Sequence, residues 1–158
     1  MCSSDLYIDE TVMRMCYTHR HLLADLALQL VAEGKKDKAL KVLQKAEKVM
    51  PAYNVPYNYV SGAADLAKAY ALIGQKTKAR SIINQVWKDS KQFAKWYVSL
   101  GGRNFSMSQD SAIKYIYMMQ ATAEVMELVD LKAAQQMMKE LNAIYAVYQA
   151  KGGAPLEG

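Results

Sequence analysis

Metal or nucleophilic chemistry in this chain would have to be built from "CYTHRH" (Cys16–His21), where a cysteine and two histidines fall together. Cys16 and His19 stand at i, i+3 on one helical face. That spacing would serve half a zinc site, or a cysteine activated by a neighbouring imidazole. The rest of either site is missing. The chain holds 2 His and 2 Cys in all, and His21 points about 200° away from His19 on a helix. No group is placed to orient the imidazole, and no GxSxG, P-loop or GxGxxG appears. The residues therefore point to no catalytic site, no metal and no cofactor. His21 and Asp25, at i, i+4, are expected to pair on a surface.

A second concentration is aromatic. "PAYNVPYNYV" (Pro51–Val60) crowds Tyr53, Tyr57 and Tyr59 between two prolines. Pro56 suits the first turn of a helix, with Asn54 or Val55 at the cap position. Two readings stand: a rigid link whose tyrosines pack between neighbouring units, or a partner-binding edge, since tyrosine is enriched at interface hot spots. "KWYVSL" (Lys95–Leu100) poses the same question, with Trp96 and Leu100 at core spacing and Tyr97 facing outward.

The elements that must position these residues are helices. The 158-residue chain is 52% hydrophobic and 22% charged, with 8 Gly and 3 Pro. That composition suits a globular helical domain and argues against a many-stranded sheet. Net charge is +5, which reads as solvated lysine faces. No aromatic–basic stripe resembles a nucleic-acid platform, so no nucleic-acid partner is expected. No apolar run reaches the ~18–20 residues that cross a bilayer, so no membrane insertion by this segment is expected.

The chain repeats itself. "LALQLVAEGKKDKALKVLQKA" (Leu26–Ala46) aligns with "LAKAYALIGQKTKARSIINQV" (Leu66–Val86), and Gly34 recurs as Gly74, 40 positions on. Leu23, Leu26, Ala27 and Leu30 form an i, i+3, i+4, i+7 stripe that ends at Gly34. Ala39, Val42, Leu43, Ala46 and Val49 make the inner face of a second helix stopped by Pro51. Two later helices are expected, about 107–128 with Ser106 or Ser108 as cap, and about 131–149 after a turn near Asp130. Together these give an all-α chain of about six helices. The hairpins run over about 9–50, 57–98 and 107–150, and the tail 151–158 is expected to fray.

This pattern resembles the tetratricopeptide repeat, on Leu23, Leu26, Ala27, Leu30, Gly34, Ala39, Leu43, Ala46 and Pro51, then Ala63, Leu66, Ala67, Tyr70, Gly74, Ala79, Ile83 and Val86. Lys91 stands in the second unit where the family has proline, and the period exceeds the basic repeat of about 34 residues. The resemblance implies a right-handed stack of hairpins with a concave peptide-binding groove. Its groove positions here are His21, Ala24, Leu28, Ser61, Ala64 and Lys68. Asp25 and Leu28 stand where chaperone-tail binders of the family carry a lysine and asparagine clamp, so that clamp is absent.

Most of the chain also resembles a narrower group, on "YIDETV", "AEGKKDKALKVLQKAEKVMP", "NVPYNYVSG" and "WYVSL". It is similar to the C-terminal soluble region of bacterial multi-spanning membrane proteins of unknown function that resemble protein O-mannosyltransferases. The resemblance implies a noncatalytic helical-repeat scaffold attached to a membrane glycosyltransferase-like parent, on the periplasmic side. Its partner would be a protein or peptide, or the parent's own membrane part. The alternative is a free-standing adaptor. "MCSSDL" (Met1–Leu6) lacks the basic start and apolar stretch of a signal peptide and reads as a non-native scar.

Overall fold

The computed structural model describes residues 9–155. Among them are six helices and no strand: α1 (Glu10–Ala32), α2 (Lys36–Val49), α3 (Ala63–Leu72), α4 (Lys76–Ser99), α5 (Gly102–Glu127) and α6 (Leu131–Ala150). The chain is all-α, as its composition requires. The scar assigned to Met1–Leu6 lies outside the described residues.

The two sequence-matched glycines make matching turns. Gly34 has φ +76° and Gly74 φ +91°. Lys35 N–H donates back to the Leu30 carbonyl at 2.8 Å and Gln75 N–H to the Tyr70 carbonyl at 2.9 Å. Each turn thus satisfies carbonyls that the helix end would leave orphaned, in a left-handed conformation that glycine adopts without strain. The helix pairs α1–α2 and α3–α4 that follow from these turns pack on themselves, and α1 also packs on α3. The most extensive helix–helix interface is α4 with α5, and α6 closes on both.

Small side chains set the close approaches. Ala24, Ala27, Ala39, Ala46, Ala63, Ala67 and Ala79 are all buried where α1 to α4 meet, with Leu43, Leu66, Ile82, Ile83 and Val86 filling between them. A second cluster joins the end of α4 to α5 and α6 through Ala94, Val98, Phe105, Ile116, Met119, Leu141, Ile144 and Tyr148. Trp87 and Met138 touch both clusters.

Several expectations are corrected. Leu26 and Val49 are exposed instead of lying on inner faces. Helix α1 buries the side carrying Arg20, Ala24 and Ala27, and Leu26 sits a third of a turn away from it. Trp96 is 54% exposed and Leu100 half-buried; Ala94 and Val98 fill that part of the core instead. Helix α5 begins at Gly102, before either proposed cap, and Ser108 Oγ donates to the Asn104 carbonyl at 2.7 Å inside the first turns. Pro56 starts no helix: 51–62 is a series of turns, and α3 begins at Ala63. Asp130 does cap α6, its carboxylate accepting from Ala133 N–H at 3.1 Å. Lys151, expected in the frayed tail, donates to the Val98 and Leu100 carbonyls at 2.6 and 2.8 Å.

Candidate functional site

The link 51–62 is held from inside by Arg20 of α1, to which no sequence motif assigns a role. Arg20 is 1% exposed. Its guanidinium donates to four backbone carbonyls: Val55 at 2.6 Å, Met50 at 3.2 Å, and Pro56 and Ser61 at 3.3 Å. Its carbon centre lies 4.8 Å from the centroid of the Tyr57 ring. A planar fork with five donors is the side chain that can serve several carbonyls at once. Burial pulls its pKa below the ordinary arginine value, and four acceptors with a π-face stand in for the lost water. This is why the link is not helical, since its carbonyls turn toward Arg20.

Around that centre Asn58 folds the link on itself, its N–H donating to Ser61 Oγ at 2.9 Å and its amide to Tyr17 Oη of α1 at 2.9 Å. Gly62 (φ +71°) closes the segment where a β-carbon would come within 3.0 Å of His21. Tyr57 Oη donates to Glu47 Oε1 at 3.3 Å and Tyr70 Oη to Glu47 Oε2 at 2.5 Å. Lys78 Nζ sits 2.8 Å from Glu47 Oε1. Burial and the adjacent carboxylate raise the Tyr57 pKa to about 12 and push Tyr70 higher still. Neither phenol is poised to give up a proton near neutrality.

The predicted site residues separate accordingly. Tyr57 belongs to the core. Tyr53 is 85% exposed and packs between no helices. Tyr59 is half-buried and meets Tyr115 of α5 at 4.4 Å between ring centroids. Tyr115 stacks on Phe93 at 5.0 Å and on Tyr97 at 5.8 Å, and Trp96 sits edge-on to Tyr97 at 4.7 Å. Burial raises the Tyr115 pKa to about 12. Five rings from the link, α4 and α5 thus form one continuous aromatic row, with Phe93 and Trp96 open to solvent.

His21 sits beside that row's start. Its partners are Asp65, with Nδ1 3.4 Å from Oδ2, and the Val60 carbonyl, 3.2 Å from Nε2; Asp25 is not one of them. His21, Tyr17, Tyr59, Val60 and Arg14 line an open cleft of about 570 Å³ between α1 and the link. The other groove positions do not assemble a channel. Ala24 and Ser61 are fully buried, Leu28 packs against the core, and only Lys68 is exposed on α3.

Cys16 and His19 both line a separate apolar cleft between α1 and α2. Among the described residues no group of three or more His, Cys, Asp or Glu side chains is placed to hold a metal ion, and no helix is long and apolar enough to cross a membrane. Arg20 was findable: it stands four and seven residues before Ala24 and Ala27, in phase with the buried alanines. Phe93 and Tyr115 carried no such signal, because their meeting depends on how α4 and α5 cross.

Comparison with protein-family models, with curated proteins and with solved structures returns no match for this chain.

Proposed function

We propose that this chain is a noncatalytic interaction module, a tetratricopeptide-like right-handed stack of helical hairpins that captures a peptide or protein segment at the His21–Tyr59 cleft and along the aromatic row. The observation that carries the reading is the continuity of an open cleft with five rings, two of them solvent-exposed, on a rigidly held link. Large rigid side chains lose little entropy on binding and dominate interface energetics. The repeated glycine turns and the direct contact of α1 with α3 support the stacked-hairpin architecture.

The test is selection of a displayed peptide library against the protein, followed by affinity measurement on Trp96→Ala. Trp96 is exposed, so its loss leaves the core intact. The reading expects enriched peptides whose affinity falls roughly tenfold or more in Trp96→Ala and whose binding shifts the amide resonances of His21 and Tyr59. Peptides that bind both proteins equally overturn it. The membrane-anchored, glycosyltransferase-like parent and its periplasmic placement rest on the sequence resemblance alone. Reading the intact gene decides them: several apolar spans encoded ahead of Tyr7 support the parent, and their absence favours the free-standing adaptor.

A further inference from the structure

A different face of the molecule, independent of the cleft and the aromatic row, carries a recognition pattern of its own. Helix α1 buries Arg20, Ala24 and Ala27 against its neighbours. About a third of a turn from that side, Val12, Met15, Leu22 and Leu26 are all exposed, Leu22 at 60%. With His19 between them they fall at i, i+3, i+7, i+10, i+14, the spacing of a coiled-coil seam. The seam is straight and about 21 Å long. Val49 of α2, 61% exposed, stands next to it. Between the two helices lies a cleft of about 510 Å³ lined by Cys16, His19, Leu22, Leu23, Lys45, Val49 and Met50.

Helix α2 borders the seam with charge. Lys38, Lys41, Lys45 and Lys48 are exposed and share the same i, i+3, i+7, i+10 spacing, and Lys45 reaches the cleft itself. The ion pairs among the described residues involve Lys35, Lys78, Arg80, Lys91 and His21; the lysine row enters none of them. An end of a helical stack ordinarily turns a polar face outward. This end turns out a hydrophobic seam with a positive border.

We propose that this face docks an acidic amphipathic helix: apolar anchors at heptad spacing enter the α1–α2 cleft, and glutamates or aspartates along one flank face the lysine row. Charge complementarity selects this occupant. An antiparallel second copy of the chain would bring its own lysine row to the same side, like charge against like. A parallel copy would offer the row only Asp25 among the polar residues Thr11, Thr18 and Asp25 on that flank. Against a bilayer surface as the occupant stands the concavity of the α1–α2 cleft, which suits an inserted side chain better than a flat lipid surface.

The experiment uses two synthetic helices of about three heptads, identical in their leucine seam, one flanked by glutamate and one by lysine. Fluorescence anisotropy measures their binding to the whole protein, to Leu22→Glu, and to the pair Lys41→Glu/Lys45→Glu. All altered positions are exposed, and thermal melts verify that each variant folds. The expected result is binding of the glutamate peptide roughly tenfold or more tighter than the lysine peptide, weakened by salt. It should be lost in Leu22→Glu and reversed in preference in the charge-reversed protein. Equal binding of both peptides, or no binding of either, overturns the proposal. So does partition onto phosphatidylserine-containing vesicles in preference to the peptide, or a concentration-dependent dimer that Leu22→Glu abolishes.

Discussion

Among the described residues Arg20 forms no ion pair with a carboxylate; its charge is met by backbone dipoles and one aromatic face. Truncation to alanine leaves four carbonyls, three of them buried, searching for donors and opens a cavity beneath Tyr57. Arg20→Ala is therefore expected to lose about 3 kcal/mol or more, measured by urea unfolding, and Arg20→Lys to recover only part of it, because a single ammonium cannot span four acceptors. Ser90 presents the opposite case. Its hydroxyl is fully buried with no hydrogen-bond partner, so Ser90→Ala should raise stability by about 1 kcal/mol. The tyrosines make a pH prediction. Tyr57 and Tyr115 ionise near 12 in the fold and near 10 when unfolded. The unfolded chain thus loses those protons first, and stability is intact below about pH 10 and falls as pH climbs toward 12. Tyrosinate absorbance and loss of helical circular dichroism should rise together in that window. If ionisation ran to completion before helicity changed, the buried-phenol account would fail.

At the scale of elements, Asp130 joins two functions. It caps α6 through Ala133 N–H and pairs with Arg80 of α4, and those contacts hold its pKa below the ordinary aspartate value. Thermal midpoints should fall in the order wild type, Asp130→Asn, Asp130→Ala, since asparagine keeps the cap and loses the ion pair. The turn near Asp130 was legible in advance because it precedes a strong apolar period; the cap itself is a finding of the structure. Also legible were the turns at Gly34 and Gly74, the bounds of α6, and the burial of Ala39, Leu43 and Ala46. These are local signals that tertiary packing only confirms. The start of α5 was not legible, because Gly101 and Gly102 read as a break; the packing of Phe105 against Tyr148 makes that turn worth forming. Nor was the shape of the link. Pro56 carries a helix-start signal, and only a guanidinium from more than thirty residues upstream overrides it. Of the candidate site, His21, Tyr59 and Tyr97 are half-buried at the edges of the link and α4, whereas Tyr57 lies in the core, a burial that follows from Arg20.

Across the whole molecule, two hydrophobic clusters share Trp87 and Met138 at their border. Helix α4 runs through both, and so do α5 and α6, which give Ala123, Val125, Met126, Ala134 and Met137 to the first and Ile116, Met119, Leu141 and Ile144 to the second. Trp87→Ala should weaken the border more than it weakens either cluster. The expected sign is divergence between two probes of urea unfolding: fluorescence of Trp96, which then is the sole tryptophan, and far-ultraviolet circular dichroism of the entire fold. Coincident curves would mean that the two clusters fold as one unit through the helices they share.

The carbonyl cage around Arg20 has a consequence for how this protein tolerates change. Met50, Val55, Pro56 and Ser61 contribute to it through main-chain oxygens, which every amino acid possesses. The cage therefore sets no requirement on their side chains, so exposed Pro56 can drift while the turns are kept and Met50, Val55 and Ser61 answer only to their own burial; the residue at position 20 has no substitute of equal geometry. In a saturation library scored for folding, position 20 should accept arginine alone, and the tips of the link around Tyr53 and Asn54 should accept nearly anything.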